Sequence, residues 1–492
     1  MRLGARRAAL ALLLAIAALG LFAGPLAHRK LGNGLEVFVA ENRSVPLATV
    51  CVVFRGGASA QDPRNAGLFH LYEHMLFKSN AKYPNQAAFV AALNRMGVAS
   101  WNGATGGESI EYYITIPSDK LEEGLEFWSW AVKSPRFDPA ELESEKEVVI
   151  NEIRGYHSDP DQIMHNALES RLFPAAPWRR NIDGPEANIA SATVEKLEQM
   201  RAAYYIPRNA ALLVGGDVSA ERAFAAAEKW FGDWSGGSPP LIGEPPQGPI
   251  PGDIRLVYPD ADYYDGVAQV QFRWRGPDVL RQTRDTYVAD ILSFLLSSPV
   301  GAFKRALMEK GPGLYDPEYI SFGYPTERDG GEFSFGAFLA LGDPAAGAPL
   351  LDRVEALRGV LADELAAIAA DPAAYFGPGE LEKAKAKLVD QNLLSEEVAS
   401  SFVTGTLAFW WAVASTDYYS GYEAACRSVS WKEVADLARR YLVGTPQAAS
   451  LRVAEAAFDA EPAMGERAKA LGYELVTGDN AFWWQRNEGG LR

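Results

Sequence analysis

The sequence predicts an α+β protein built from two related halves, and three observations carry that expectation. Strand-like and helix-like segments are mixed in both halves without strict alternation around a glycine fingerprint, which argues against a doubly wound parallel sheet. Residues 235–252 hold six prolines and five glycines. That composition admits neither regular helix nor central strand and marks a linker. The stretches on either side are degenerate copies. Val53-Phe54-Arg55-Gly56 aligns with Arg273-Trp274-Arg275-Gly276 at an offset of 220, and Val194 to Tyr204 resembles Trp431 to Tyr441. The halves are expected at 29–234 and 253–492, with 1–28 apart from both.

Apolar runs rich in β-branched residues place strands of the first half at 36–40, 48–54, 109–117 and 211–216. Helical periodicity places helices at 67–78, 86–96, 120–133, 139–156 and 193–204. The second half repeats the scheme, with strands near 269–275 and 331–339 and long helices at 349–370 and 380–392.

A chain of 492 residues with 48% hydrophobic and 22% charged residues has ample core for several globular domains. Its net charge of −16 argues against a nucleic-acid partner and favours neutral or basic peptides through electrostatic steering. Cys51 lies in an apolar strand and Cys426 in a helix of the other half, so two buried free thiols are expected. Arg2, Arg6 and Arg7 precede an apolar run from Ala8 to Ala27 that ends in small residues. That order is a secretory signal, which implies a periplasmic or secreted protein. The run also approaches the roughly 20 residues of a spanning helix, so an uncleaved anchor facing the periplasm is the alternative. A mitochondrial presequence fits less well, being amphipathic rather than uniformly apolar.

The chain has five histidines, and two of them fall in His70-Leu71-Tyr72-Glu73-His74. On a helix His70 and His74 stand one turn apart on one face, with Glu73 in reach of it. Two neutral imidazoles so placed can hold one Zn²⁺, and the carboxylate can polarise a bound water, as in the H-x-x-E-H pattern. A catalytic zinc normally takes a third protein ligand. The segment Ser144 to Arg154 is the candidate source, with Val148, Val149 and Ile153 as its apolar stripe and Glu145 and Glu152 seven apart on one face. At the offset of 220 the motif maps onto Asp290, Ser293 and Phe294, so one zinc site per chain is expected.

These residues resemble the pitrilysin/insulysin superfamily of inverted-motif zinc peptidases, and most of all its bacterial processing-peptidase-like branch. Asn33-Gly34-Leu35-Glu36-Val37 is similar to the family's opening strand, and Phe54-Arg55-Gly56-Gly57-Ala58 to the turn before its motif helix. Trp101-Asn102-Gly103-Ala104-Thr105 with Tyr112 is similar to its N-A-x-T…Y hairpin, with Gly103 where Ala is usual. Tyr205-Ile206-Pro207-Arg208-Asn209 and Val214-Gly215-Gly216-Asp217 extend the likeness. The family's distal E-x6-E maps onto Glu145 and Glu152.

The resemblance implies two α/β-roll-like halves facing each other as a clamshell. It implies zinc held by His70, His74 and Glu152, Glu73 as the base, and Glu145 as a catalytic support that sets the surroundings of Glu152. It also implies a substrate strand added beside Asn102 and Thr105, although both also suit a polar turn and edge strand. Active relatives supply an Arg and a Tyr from the second half. Here Tyr315 holds the Tyr position while Met308 stands where Arg is expected, with Arg305 one turn earlier. Either Arg305 substitutes, or a homologous partner lacking the zinc motif supplies the Arg/Tyr pair. An inactive zinc-binding assembly subunit and a peptide-binding clamshell are the alternatives to a metalloendopeptidase; the adjacent Trp410 and Trp411 would support the latter, although aromatics at such spacing are more often core.

Overall fold

The computed structural model describes residues 26–243, 245, 247–341, 348–460 and 464–486. The apolar run at the start of the chain, and with it the signal or anchor reading, lies outside these residues save for its last two, Leu26 and Ala27. Among the described residues no single helix is long and apolar enough to cross a membrane.

Each half is a six-stranded mixed sheet with helices against it. In the first, β1 (Ala27–Lys30), β2 (Glu36–Glu41), β3 (Leu47–Arg55), β4 (Ser100–Thr105), β5 (Ser109–Pro117) and β6 (Ala210–Gly216) are ordered β1-β2-β6-β3-β5-β4. In the second, β7 (Ile254–Asp260), β8 (Val267–Arg275), β9 (Ser321–Gly323), β10 (Glu332–Ala340), β11 (Ala448–Ala454) and β12 (Glu474–Leu475) are ordered β12-β7-β11-β8-β10-β9. The pairing β2–β6 is parallel and recurs as the parallel pairing β7–β11, while β3 and β8 each run antiparallel to two neighbours. The expected repeat is therefore a repeat of topology, and Arg55 and Arg275 end equivalent strands. Residues 27–30 pair with 36–39 and add an outer strand to the first sheet.

The two halves form the expected clamshell architecture, and the join is reciprocal. The helix α1 (Leu68–Leu76) and the long helix α2 (Pro139–Ser158) pack with the first sheet's own core, around Phe54, Tyr72, Tyr112 and Trp128. After α2 the chain crosses over. The helix α3 (Pro160–Leu172) lays Ile163, Met164, Ala167 and Leu168 against Leu256, Ala448 and Phe482 of the second half. In the second half, α4 (Val279–Ser297), α5 (Ala302–Lys310) and α6 (Glu380–Ser395) follow the same order, and then α7 (Ala399–Val413) crosses back. It sets Phe402, Val403, Leu407 and Trp411 on Phe38, Cys51, Val53 and Leu213 of the first sheet. β6, and β3 save for Thr49 and the terminal Arg55, are apolar because both of their faces are covered. Cys51 and Cys426 are free and buried, Trp411 is core, and Trp410 packs partly buried against it.

One expected packing stripe is corrected. The buried face of α2 is Leu142, Glu145, Lys146, Val149 and Ile153, at helical spacing, and Val148 is exposed on the opposite side.

Candidate metal and catalytic site

α1 is fixed at its start by a glycine that nothing else can replace. Gly67 has φ +89°, and a Cβ there would stand 2.1 Å from the carbonyl oxygen of Asp183. Its N–H donates to Gln61 Oε1 at 2.6 Å, and Gln61 Nε2 donates to the carbonyls of Trp178 and Asn181 at 2.8 and 2.7 Å. Leu68, Phe69, Leu71, Tyr72, Met75 and Leu76 are buried, which turns His70, Glu73 and His74 to the open side. α2 is capped by Asp138, which accepts from the N–H groups of Ala140 and Glu141, and begins on Pro139. It brings Glu145 and Glu152 onto α1.

The donor atoms converge. His70 Nε2 and His74 Nε2 are 3.2 Å apart, and Glu152 Oε2 lies 3.4 Å from His74 Nε2 and 3.8 Å from His70 Nε2. Tetrahedral zinc with bonds of about 2.0–2.1 Å separates its ligands by roughly 3.3 Å, so this spacing fits one zinc ion. Among the described residues His70, His74 and Glu152 are the only such group of three donors. In the second half Asp290 instead accepts from the Tyr422 hydroxyl at 2.8 Å, and Phe294 is packed against the core.

Glu145 does not reach Glu152 in the way its sequence position suggested. It accepts from His74 Nδ1 at 2.9 Å and from Lys78 Nζ at 2.5 Å. With the proton on Nδ1, the lone pair of His74 Nε2 points at the metal position, so Glu145 is a positioning residue for His74. Burial alone would raise its carboxyl, but Lys78 and His74 outweigh burial and hold it below the usual range. Burial, with His74 alongside, lowers His70 to about 4 and keeps it neutral, as a ligand must be.

Glu73 is held by Thr105 Oγ1, which donates to Oε2 at 2.6 Å. Burial raises its carboxyl, while the Thr105 bond and His74 work against that. Asn102 sits three residues before Thr105 on β4 and so projects from the opposite face of the strand. Of the expected pair Thr105 bonds to Glu73, while Asn102 is exposed on the strand face it shares with Ala104. β4 is the outermost strand of its sheet, with a free edge beside the cluster. Tyr315 does not line the cavity at His70 and Glu73; it is exposed, its N–H donates to the Phe338 carbonyl, and its ring meets Tyr319. Arg305 donates to the Val300 carbonyl within the second half, and Met308 packs into that half's core.

A cavity of about 350 Å³ opens on His70 and Glu73 and is lined entirely by the first half, including His165, Arg180 and Asp183. It adjoins a second, of about 450 Å³, that runs between the halves past Glu108 and Arg328. Arg180 ties the two halves through Glu327 and the carbonyl of Gly330. Four groups here escaped the sequence reading. Lys78 stands one turn after His74, so its spacing was a usable signal. Glu111, raised to about 7 by burial and then by Glu73, and Asp183, raised to about 6 by burial and then by Glu152, belong to no motif, and neither does Arg180.

Comparison with known proteins agrees with this architecture. Residues 36–186 match the family description "Insulinase (Peptidase family M16)", and residues 191–388 match "Peptidase M16 inactive domain". The chain is 26% identical over 201 residues to the mitochondrial-processing peptidase subunit beta of Dictyostelium discoideum, covering 41% of this chain and 42% of that one. It is 28% identical over 202 residues to an uncharacterized zinc protease of Bacillus subtilis, covering 41% and 49%. These matches span less than half the length of either relative. In fold it is similar to a protease from Helicobacter pylori, with TM-score 0.71 and 20% identity over 88% of this chain and all of that one. It is also similar to the first half of the periplasmic protease PqqL from Escherichia coli, with TM-score 0.67 and 16% identity over 90% and 96%.

Proposed function

Because the chain has the fold of the M16 (pitrilysin/insulysin) zinc-peptidase superfamily, we propose that it is a zinc metalloendopeptidase that cleaves peptides or small unfolded polypeptides. The observation that carries this reading is the convergence of three metal donors at tetrahedral spacing with Glu73 held beside them. Zinc bound by His70, His74 and Glu152 would supply Lewis acidity toward a water and a peptide carbonyl. Glu73, raised by burial, takes the proton from the water and returns it to the leaving amine. Thr105 leaves Oε1 of Glu73 free for that task by occupying Oε2. The free edge of β4 receives an extended substrate as an added strand, with main-chain hydrogen bonds giving loose sequence preference.

The catalytic cavity draws no residue from the second half, and neither Arg305 nor Tyr315 lines it. This favours a two-chain enzyme in which a homologous subunit lacking the zinc motif contributes the Arg/Tyr pair. The likeness to processing-peptidase beta subunits supports the same reading. The apolar start of the chain and the likeness to a periplasmic protease favour export to the periplasm, with membrane contact only if that segment is kept. An inactive assembly subunit would have no use for Glu73.

The test is Glu73→Gln. It should keep about one zinc per chain while turnover of an unstructured peptide falls by about 10²–10⁴-fold. Undiminished turnover would overturn the assignment. Activity of the lone chain equal to that with its partner would remove the two-chain reading.

A further inference from the structure

The second half holds a cavity where the first half holds its metal cluster. α4 follows β8 as α1 follows β3, and α6 packs on α4 as α2 packs on α1. Between the end of α4, the start of α5 and the first turns of α6 lies a cavity of about 440 Å³. Phe294, which the repeat aligns with His74, lines it together with Phe376. Glu380 and Lys387 line it from α6 with the same seven-residue spacing as Glu145 and Glu152.

The charge of the site is reversed. The first half gathers two imidazoles and three carboxylates, whereas this wall carries Arg305, Lys383 and Lys387 against Glu380 alone. Glu380 is already engaged by Lys383 at 2.6 Å. Arg305 gives one N–H to the Val300 carbonyl at 2.6 Å, and neither it nor Lys387 has an acidic partner among the described residues. Two uncompensated cations therefore face a wall whose other polar side chains are Ser298 and the paired Glu380 and Lys383, in a chain whose net charge is −16. A guanidinium and an ammonium beside aromatic rings suit a carboxylate attached to an apolar side chain.

We propose that this cavity binds the C-terminal carboxylate of a peptide. Arg305 and Lys387 take the carboxylate, and the last side chain rests on Phe294 and Phe376. The metal site of the first half has become a tail-binding site in the second. That the ligand is a peptide rests on the hydrolase reading, whereas its carboxylate chemistry rests on the cavity.

The test is isothermal titration of the full chain carrying His74→Ala, so that no bound zinc competes for the carboxylate. The ligands are N-acetyl-Phe-Leu as the free acid, the same dipeptide as its C-terminal amide, and N-acetyl-Glu-Leu amide. The free acid should bind at least about tenfold more tightly than either amide. Arg305→Gln and Lys387→Gln, both at exposed positions, should each weaken it about tenfold, and Lys387→Arg should retain it. Equal binding of acid and amide, no detectable binding, or indifference to both substitutions overturns the proposal. Tight binding of the Glu-containing amide overturns the terminal assignment in favour of an acidic side chain. Turnover of a reporter peptide by the zinc-loaded wild-type chain is read separately. Its absence both alone and with the homologous partner added would count against the hydrolase reading and leave the titration standing.

Discussion

Glu145→Gln tests the metal site through a residue that never touches the metal. Glu145 is buried between His74 Nδ1 at 2.9 Å and Lys78 Nζ at 2.5 Å, and the side chains of Glu145 and Lys78 are only 9% and 14% exposed. The pair is therefore far enough from water that the small values of surface ion pairs do not apply. Glutamine keeps the shape, and its oxygen can still accept from Lys78. Its NH₂ group then faces His74 Nδ1, where two N–H donors cannot meet. The imidazole escapes by moving its proton to Nε2, which blocks the lone pair aimed at the metal position. Loss of such a partner typically lowers metal affinity by about 10–100-fold, or about 1.4–2.7 kcal/mol. Lys78, left buried with a neutral acceptor in place of its counter-charge, costs about 2 kcal/mol of stability on top. Zinc affinity is read by competition with a chromophoric chelator, and stability by urea unfolding of the metal-free protein. The double variant Lys78→Met with Glu145→Gln separates the two effects: stability should recover while zinc affinity stays low. Zinc affinity within twofold of wild type in Glu145→Gln would refute the positioning role. So would recovery of affinity in the double variant.

Thr105→Val removes the hydrogen bond that favours ionised Glu73, so the acidic limb of the kcat/KM–pH profile should move to higher pH; an unmoved limb would show that Thr105 does not act on the base. Gly67→Ala places a Cβ against the Asp183 carbonyl at a left-handed φ and should lower unfolding free energy by about 2 kcal/mol or more, with zinc content falling as α1 shifts. Glu108, facing Glu327, Arg180 and the Arg328 N–H between the halves, is raised to about 8 by burial and then by Glu327, against an ordinary 4.5. The folded state thus holds a proton that the unfolded state releases, and stability should fall as pH rises from 4.5 to 8, by at most about 1.4 kcal/mol per pH unit. Glu108→Gln should flatten that slope in urea titrations, and coincident slopes would dismiss Glu108 as the cause.

What could be read from the sequence was what is local. His70, Glu73 and His74 sit on one helix, so their spacing alone set their common face, and the apolar residues between them turned that face to the cavity. The seven-residue spacing of Glu145 and Glu152 put both on the face of α2 that meets α1, yet it could not tell that Glu145 turns to His74 and Lys78. That depends on how two helices cross. Asn102 and Thr105 sit in one short motif but on opposite faces of a strand, a parity that a motif does not express. Val148 looked like core because it is apolar, and it is exposed because Leu142, Val149 and Ile153 already fill the stripe. Tyr315 and Arg305 rest on a family likeness rather than on local pattern, and in this chain neither lines the cavity at the metal cluster.

The crossing of α3 and α7 had no sequence signal, since an apolar helix looks the same whichever sheet it covers. It nevertheless explains why a half stripped of its metal ligands persists in this fold. Without α7, the face of the first sheet bearing Phe38, Cys51, Val53 and Leu213 would stand open to water. Without α3, Leu256, Ala448 and Phe482 of the second would do the same. Each half completes the other's core, so the second half is needed for the first to fold whether or not it binds a metal. That leaves its former metal face free to acquire another ligand, and the reversed charge around Arg305 and Lys387 is what such a change of use would produce.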